Sequence, residues 1–138
     1  KQGATGDEDY AAPEFRFAAL ADRVRERGGT PAQVRLAEEV WAKNRIKHNE
    51  ICMTLQHQGW GYKADSPHHD ADVLWGALAY ARSHGCNLLA NVGPLPDGSI
   101  HPDDVATLRE VGRRRRAQGW PDPREARIPG EKVHAGGA

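Results

Sequence analysis

Apolar residues recur along this chain in short periodic stretches separated by Gly, Pro and charged runs. Phe15, Ala18, Ala19 and Val24 begin a period near 3.6 that stops at Gly28-Gly29, a C-terminal helix signal. Thr30 before Pro31 reads as an N-cap with proline at the first helical position, and Val34, Leu36, Ala37, Val40 and Trp41 continue the period. The two stretches predict a helical pair over 15–46. Ile51 to Leu55 alternates and favours β structure, as a short buried strand would. Gly59-Trp60-Gly61-Tyr62 then reads as a loop. Ser66-Pro67 can start the next helix, with Val73, Leu74, Ala77, Leu78 and Ala81 on one face and His84-Gly85 at its end. Cys86 to Val92 is nearly continuous apolar sequence, as expected of a parallel strand covered on both faces, and Gly93-Pro94 stops it. Pro102, Asp103 and Asp104 suit a first helical turn, Val105, Leu108 and Val111 supply its buried stripe, and Gly119 closes it. Residues 1–14 read as an irregular leader punctuated by Gly3, Gly6 and Pro13, and 121–138 as a tail without a second domain.

Strand, helix, strand, helix over 47–120 is the order of βα units, so the predicted class is α/β with a parallel sheet. Composition then sets bounds. The 19 basic and 19 acidic residues cancel, leaving no global field to draw the chain to nucleic acid or an anionic membrane. Hydrophobic content of 38% with 15 Gly and 9 Pro is low for a self-sufficient core and fits a piece of something larger. No stretch approaches the roughly 18 apolar residues that span a bilayer, and the first residues, KQGATGDEDY, do not resemble a signal peptide. Cys52 and Cys86 provide neither a disulfide framework nor metal-ligand spacing, and read as buried free thiols.

Several residues could carry chemistry. An indole beside a few amides suits a sugar ring, which offers one apolar face and a fringe of hydroxyls, so Trp60, Tyr62 and Asn91 are candidates. Trp60 and Tyr62 could equally be core aromatics under a loop, and amides such as Asn87 usually satisfy neighbouring backbone groups. Glu50 by itself reads as a solvated surface carboxylate. A strand over Ile51 to Leu55, rising about 3.3 Å per residue, sets Glu50 and the Trp60 loop at opposite ends. His68-His69-Asp70 with Asp72 lacks a third spaced donor for a metal and reads as a solvated helix start. Arg113 to Arg116 lie at the negative end of a helix dipole with no interleaved aromatics, which argues against a nucleic-acid patch.

The order of motifs from Glu50 onward resembles the late part of the catalytic domain of the α-L-fucosidases, a family of retaining glycoside hydrolases. The matching residues are Glu50, Cys52 to Thr54, Trp60 to Tyr62, Asn87 to Leu89, Asn91 to Pro94 and Asp97-Gly98, with a weaker echo at Gly6 to Glu14. Asn49 stands where the family usually has Trp, Cys86 replaces a usual glycine and Ala90 a usual leucine. The resemblance implies the last two units of a (β/α) barrel, preceded by the helical pair as an insertion or as divergence at one rim of the site. A complete barrel needs about 250 residues and this chain has 138, so the expectation is a fragment. The family's nucleophilic aspartate, on an earlier strand beside a tryptophan, has no counterpart ahead of Glu50 here. The implied ligand is a fucosylated glycan or fucoside, handled without cofactor or metal; Glu50 is the implied candidate acid/base, with Trp60, Tyr62 and Asn91 at the substrate. Such a piece would self-associate through uncovered strand edges. The alternative is a non-catalytic carbohydrate-binding or interaction module.

Overall fold

A computed structural model describes residues 6–15, 17 and 20–129. Ala18 and Ala19 of the predicted first stripe, positions 1–5 of the leader and 130–138 of the tail lie outside the described residues. The architecture is a mixed arrangement of helices around a small parallel sheet. Strand β1 (Glu50–Thr54) pairs in parallel with β2 (Asn87–Asn91), in a register from Glu50 opposite Asn87 to Thr54 opposite Asn91. Helix α1 spans Leu20–Glu26, α2 Pro31–Asn44, α3 Ala71–Ser83 and α4 Pro102–Gln118, followed by a 3₁₀ turn at Pro123–Glu125.

The leader is less irregular than its sequence implied. Glu50 N donates to Ala11 O at 3.0 Å, Cys52 N to Pro13 O at 3.0 Å, and Phe15 N to Cys52 O at 2.8 Å. Residues 11–15 therefore run beside β1 on the edge opposite β2, with a parallel bridge between Glu14 and Cys52. Pro13 masks this in the sequence, since it has no N–H, yet its carbonyl is all the pairing requires. Phe15 at φ 62 turns the chain out of this path. That turn delays α1 to Leu20, where Phe15 had been expected to open the helix.

Helix α2 begins as predicted. Thr30 Oγ1 accepts from Gln33 N at 3.3 Å and Gln33 Oε1 accepts from Thr30 N at 2.8 Å, a reciprocal cap. Ala37 and Val40 are buried, but Leu36 of the predicted stripe is 61% exposed. The junction into β1 is polar and satisfied. Asn49, 5% exposed, accepts from Ala11 N at 2.9 Å and donates to Asn44 O at 3.1 Å and Lys47 O at 2.9 Å.

Ile51, Met53 and Leu55 are fully buried, and Met53 and Leu55 pack on Leu74 and Ala77 of α3 with Leu88, Ala90 and Val111 alongside. Strand β2 departs from the expected double covering: Asn87 and Leu89 are exposed. Among the described residues only β1 flanks it. Helix α3 starts later than Ser66-Pro67 implied, because residues 66–69 fold back on the end of β1. His57 N donates to Pro67 O at 2.8 Å, His69 N donates to Leu55 O at 2.7 Å, and Asp70 caps the helix through Asp72 N and Val73 N, both at 3.0 Å. The solvated helix start expected at His68-His69 is thus corrected, since His69 is buried and the His68 side chain is 6% exposed.

Helix α4 also differs. Its buried residues are Asp104 and Thr107, while Leu108 of the predicted stripe is 37% exposed. Asp104 Oδ1 lies 2.6 Å from His68 Nδ1, and Thr107 Oγ1 donates to His69 O at 3.0 Å. Polar contacts with the 66–69 turn therefore choose the inner face. The arginine run is dispersed: Glu110 holds Arg113 and Arg114, Arg114 also reaches Asp72 of α3, and the Arg115 guanidinium lies 4.6 Å from the Trp120 ring centre. Those arginines keep the Glu110 carboxyl down at about 2. Beyond α4 the described part of the tail, 121–129, packs rather than trails. Trp75 Nε1 donates to Glu125 Oε2 at 3.1 Å, Arg127 N donates to Gly76 O at 3.0 Å, and Pro129 is buried.

Because Met53 sits at the centre of this core, Met53→Ala is expected to lower unfolding free energy by about 2–5 kcal/mol, whereas Leu36→Ala on the exposed side of α2 changes it by less than about 0.5 kcal/mol. Urea unfolding followed by far-UV circular dichroism measures both. Equal losses would show that β1 is not the core strand.

Candidate functional site

The carboxyl ends of two parallel strands converge on one loop, Gln56 to Lys63. Asn91, the last residue of β2, donates from Nδ2 to Trp60 O at 2.7 Å and to Thr54 Oγ1 at 3.3 Å. Gln56, 1% exposed, donates through Nε2 to Gly59 O at 3.2 Å and to Gly61 O, and accepts at Oε1 from Lys63 N at 3.3 Å. Two side-chain amides thus span the loop from below and fix its path. Gly93 allows the closest approach: a Cβ there would stand 2.6 Å from Tyr62 N and 2.8 Å from the Gly61 carbonyl carbon.

The fixed loop presents Trp60, 39% exposed, and Tyr62, 40% exposed. Trp60 borders a hollow of about 500 Å³ with Phe15, Thr54, His57, His69 and Pro129 among its walls. The Phe15 and Trp60 rings are 5.8 Å apart and those of His57 and His69 are 4.2 Å apart. One side of the hollow is therefore apolar and aromatic, the other polar. Burial, reinforced by the neighbouring His57, pulls the His69 imidazole below its ordinary value, so it is neutral at pH 7.

The structure separates the candidates. Trp60, Tyr62 and Asn91 meet at the carboxyl ends of the strands, with Asn91 spending both amide bonds on the protein. Glu50 lies at the other end of β1, about 13 Å away by strand rise. It opens onto a different hollow, of about 580 Å³, with Arg82, Cys86, Asn87 and Trp120. Near it, burial and the Glu50 carboxylate raise the Cys52 thiol, and burial raises Cys86; both thiols are free and half-buried. The Asp97-Gly98 turn forms as expected, with Gly98 N donating to Leu95 O at 2.8 Å, and two bonds from Ser99 hold Asp97 below the usual carboxylate range. Among the described residues no group of three or more His, Cys, Asp or Glu could hold a metal ion, and no helix is long and apolar enough to cross a membrane.

Sequence reasoning missed Phe15, Gln56, His57 and His69. Gln56 offered a signal, as a polar residue directly after the apolar run that ends at Leu55. The two histidines offered none, since only the return of 66–69 onto β1 brings their rings together.

A family model of the α-L-fucosidases matches residues 9–119. The chain belongs to the α-L-fucosidase family. An α-L-fucosidase of Branchiostoma floridae is 39% identical over 71 residues, which are 49% of this chain and 16% of that protein. The α-L-fucosidase isoenzyme 1 of Paenibacillus thiaminolyticus superposes with a TM-score of 0.57 at 28% identity, covering 80% of this chain and 22% of that one. An α-L-fucosidase of Bacteroides thetaiotaomicron, trapped as a covalent intermediate with 2-fluoro-fucosyl fluoride, shares the fold at a TM-score of 0.55 and 23% identity. This fucosidase-family chain thus spans about a fifth of the length of those solved structures.

Two predictions follow from the geometry. Gly93→Ala is expected to displace the Trp60–Tyr62 loop and cost about 1–3 kcal/mol, because the added methyl meets backbone. Gly61→Ala, which meets nothing within 4 Å, is the neutral control. Near-UV circular dichroism and chemical unfolding read both, and equal behaviour would contradict the close approach. The second concerns pH. Unfolded His69 takes up a proton near pH 6.5, whereas the folded ring resists it to lower pH, so the unfolded state binds more protons in that window. Stability is therefore complete above about pH 6.5 and falls as pH drops toward the lowered folded value. Unfolding free energy measured at pH 7.5 and 5.5 is expected to fall less in His69→Phe than in the wild type; an unchanged difference would refute it.

Proposed function

We propose that this chain supplies part of the substrate-binding rim of a retaining α-L-fucosidase catalytic (β/α) barrel, and that it holds an L-fucoside against Trp60. Family membership and the parallel strands, each followed by a helix, support the barrel reading. The observation that carries the site is the loop presenting Trp60, which Gln56 and Asn91 fix at the carboxyl ends of the strands. In (β/α) barrels that face holds the active site. Trp60 supplies an apolar face for the sugar ring, Tyr62 a hydroxyl at the edge of the loop, and Asn91 holds the platform in place.

The reaction of such a barrel is release of terminal α-linked L-fucose with retention. It requires a nucleophilic carboxylate and an acid/base about 5–5.5 Å apart, with a covalent glycosyl intermediate between two displacements. The trapped intermediate of the Bacteroides relative supports that course. The Trp-x-Asp pattern of the family's nucleophile occurs in this sequence only as Trp120-Pro121-Asp122, which follows α4 and caps the 3₁₀ turn rather than ending a strand, and Glu50, the acid/base that the resemblance implied, opens onto the hollow at the far end of β1. The proposal therefore gives this chain binding and positioning, and no proton transfer to Glu50.

Titration of the purified chain with methyl α-L-fucoside tests this. The Trp60 indole resonance is expected to shift while those of Trp75 and Trp120 stay fixed, Trp60→Ala is expected to abolish the response, and nitrophenyl α-L-fucoside is expected not to turn over. A response confined to Trp120, or turnover by the chain itself, would overturn the reading.

A further inference from the structure

The polar wall of the Trp60 hollow has a feature that the binding platform leaves unused. Gln56 spends its amide on the loop, and Thr54 Oγ1 accepts from Asn91. His57 and His69 differ, for among the described residues no ring nitrogen of either carries a hydrogen bond. The sealed side-chain nitrogen or oxygen atoms without a partner reduce, among the described residues, to Asp104 Oδ2. His69 is buried, yet its nitrogens are not among those sealed atoms, and the residue lines the hollow.

This placement is rigid. The backbone of His69 is held on both sides, its N–H by Leu55 O at 2.7 Å and its carbonyl by Thr107 Oγ1 at 3.0 Å. The preceding residue is anchored as well, since His68 Nδ1 meets the fully buried Asp104 at 2.6 Å and its ring stacks on His101 at 4.1 Å. The His57 ring lies against His69 at 4.2 Å. Burial, with His57 beside it, lowers the His69 value and keeps that ring neutral at pH 7. A neutral imidazole carries one donor and one acceptor, which matches a hydroxyl that also donates and accepts. A charged wall would offer donors alone.

We propose that His57 and His69 form a hydrogen-bonding wall that recognises hydroxyl groups of the pyranose seated on Trp60, with Trp60 and Phe15 taking its apolar face. This rests on the proposed sugar site and adds its specificity-determining residues. The 66–69 turn, locked through His68 and Asp104 to α4, is the element that positions the wall.

The test uses the whole chain at pH 7.5 with methyl α-L-fucoside as the probe, reading Trp60 by its indole resonance and the imidazoles by long-range proton–nitrogen correlation. His57→Phe and His69→Phe keep a ring in the stack and remove its nitrogens, and leave the backbone bonds of residue 69 in place. The expected result is a shift of the imidazole nitrogens on sugar addition, with affinity about tenfold weaker in each variant, the scale of one lost hydrogen bond. The wild-type nitrogen shifts keep the test decisive if a variant fails to fold. A Trp60 shift with silent imidazoles and unchanged variant affinity would overturn the wall and leave the platform standing. No shift at Trp60 or at either imidazole would overturn the sugar site and the wall together.

Discussion

Strand β1 has polar backbone groups along both edges and no water to satisfy them, since Ile51, Met53 and Leu55 are sealed. The surrounding structure answers that demand. One edge is met by β2 in parallel register, the other by the extended segment 11–15, whose carbonyls accept from Glu50 and Cys52. Connections follow from this. Parallel pairing needs a crossover, which α3 provides, and the helical pair α1–α2 carries the chain from the end of the 11–15 segment to the start of β1. Asn49 fastens that start by bonding to residues 11, 44 and 47.

A second constraint operates at the other end of the sheet. The turn at 66–69 returns to β1, and its histidines are then fixed by polar residues of α4. A buried His–Asp contact is expensive to break, because losing one partner strands the other, commonly at a cost of about 3–5 kcal/mol. Asp104 is fully buried with one oxygen on His68. The contact therefore specifies where α4 docks more than it stabilises the helix itself. It also carries the geometry to the hollow, since His69 follows directly and its carbonyl is held by Thr107.

The same loop system explains how a modest sheet presents the proposed site. Trp60 and Tyr62 are half exposed, two aromatic rings presented by one loop. Their loop is not loose, because Gln56, Asn91 and the missing side chain at Gly93 define its path from within. Rigidity of this kind lets an aromatic platform bind without first paying for its own ordering. Exposure of Asn87 and Leu89 on β2 has a different origin: they share the face of that strand left uncovered among the described residues, opposite Leu88 and Ala90, which pack against the core.

Local chemistry made much of this legible in advance. The strands at Ile51 and Asn87, the cap at Thr30-Pro31, the end of α3 at His84-Gly85 and the Trp60 loop all depend on short-range rules, since periodicity, capping and turn residues act over a few positions. The family motifs were readable for the same reason. What the sequence could not determine were relations between distant segments. Residues 11–15 join the sheet through carbonyls, which carry no side-chain signature. Asp104 and Thr107 face inward on α4 because partners more than thirty residues away await them, whereas the helical period alone favoured Leu108. Glu50 and Trp60 are ten positions apart, and the straight run of β1 sends them to opposite hollows. His57 and His69 are twelve apart, and the folded-back turn brings them ring to ring. Sequence spacing does not encode that difference; the path of the backbone between the residues decides it.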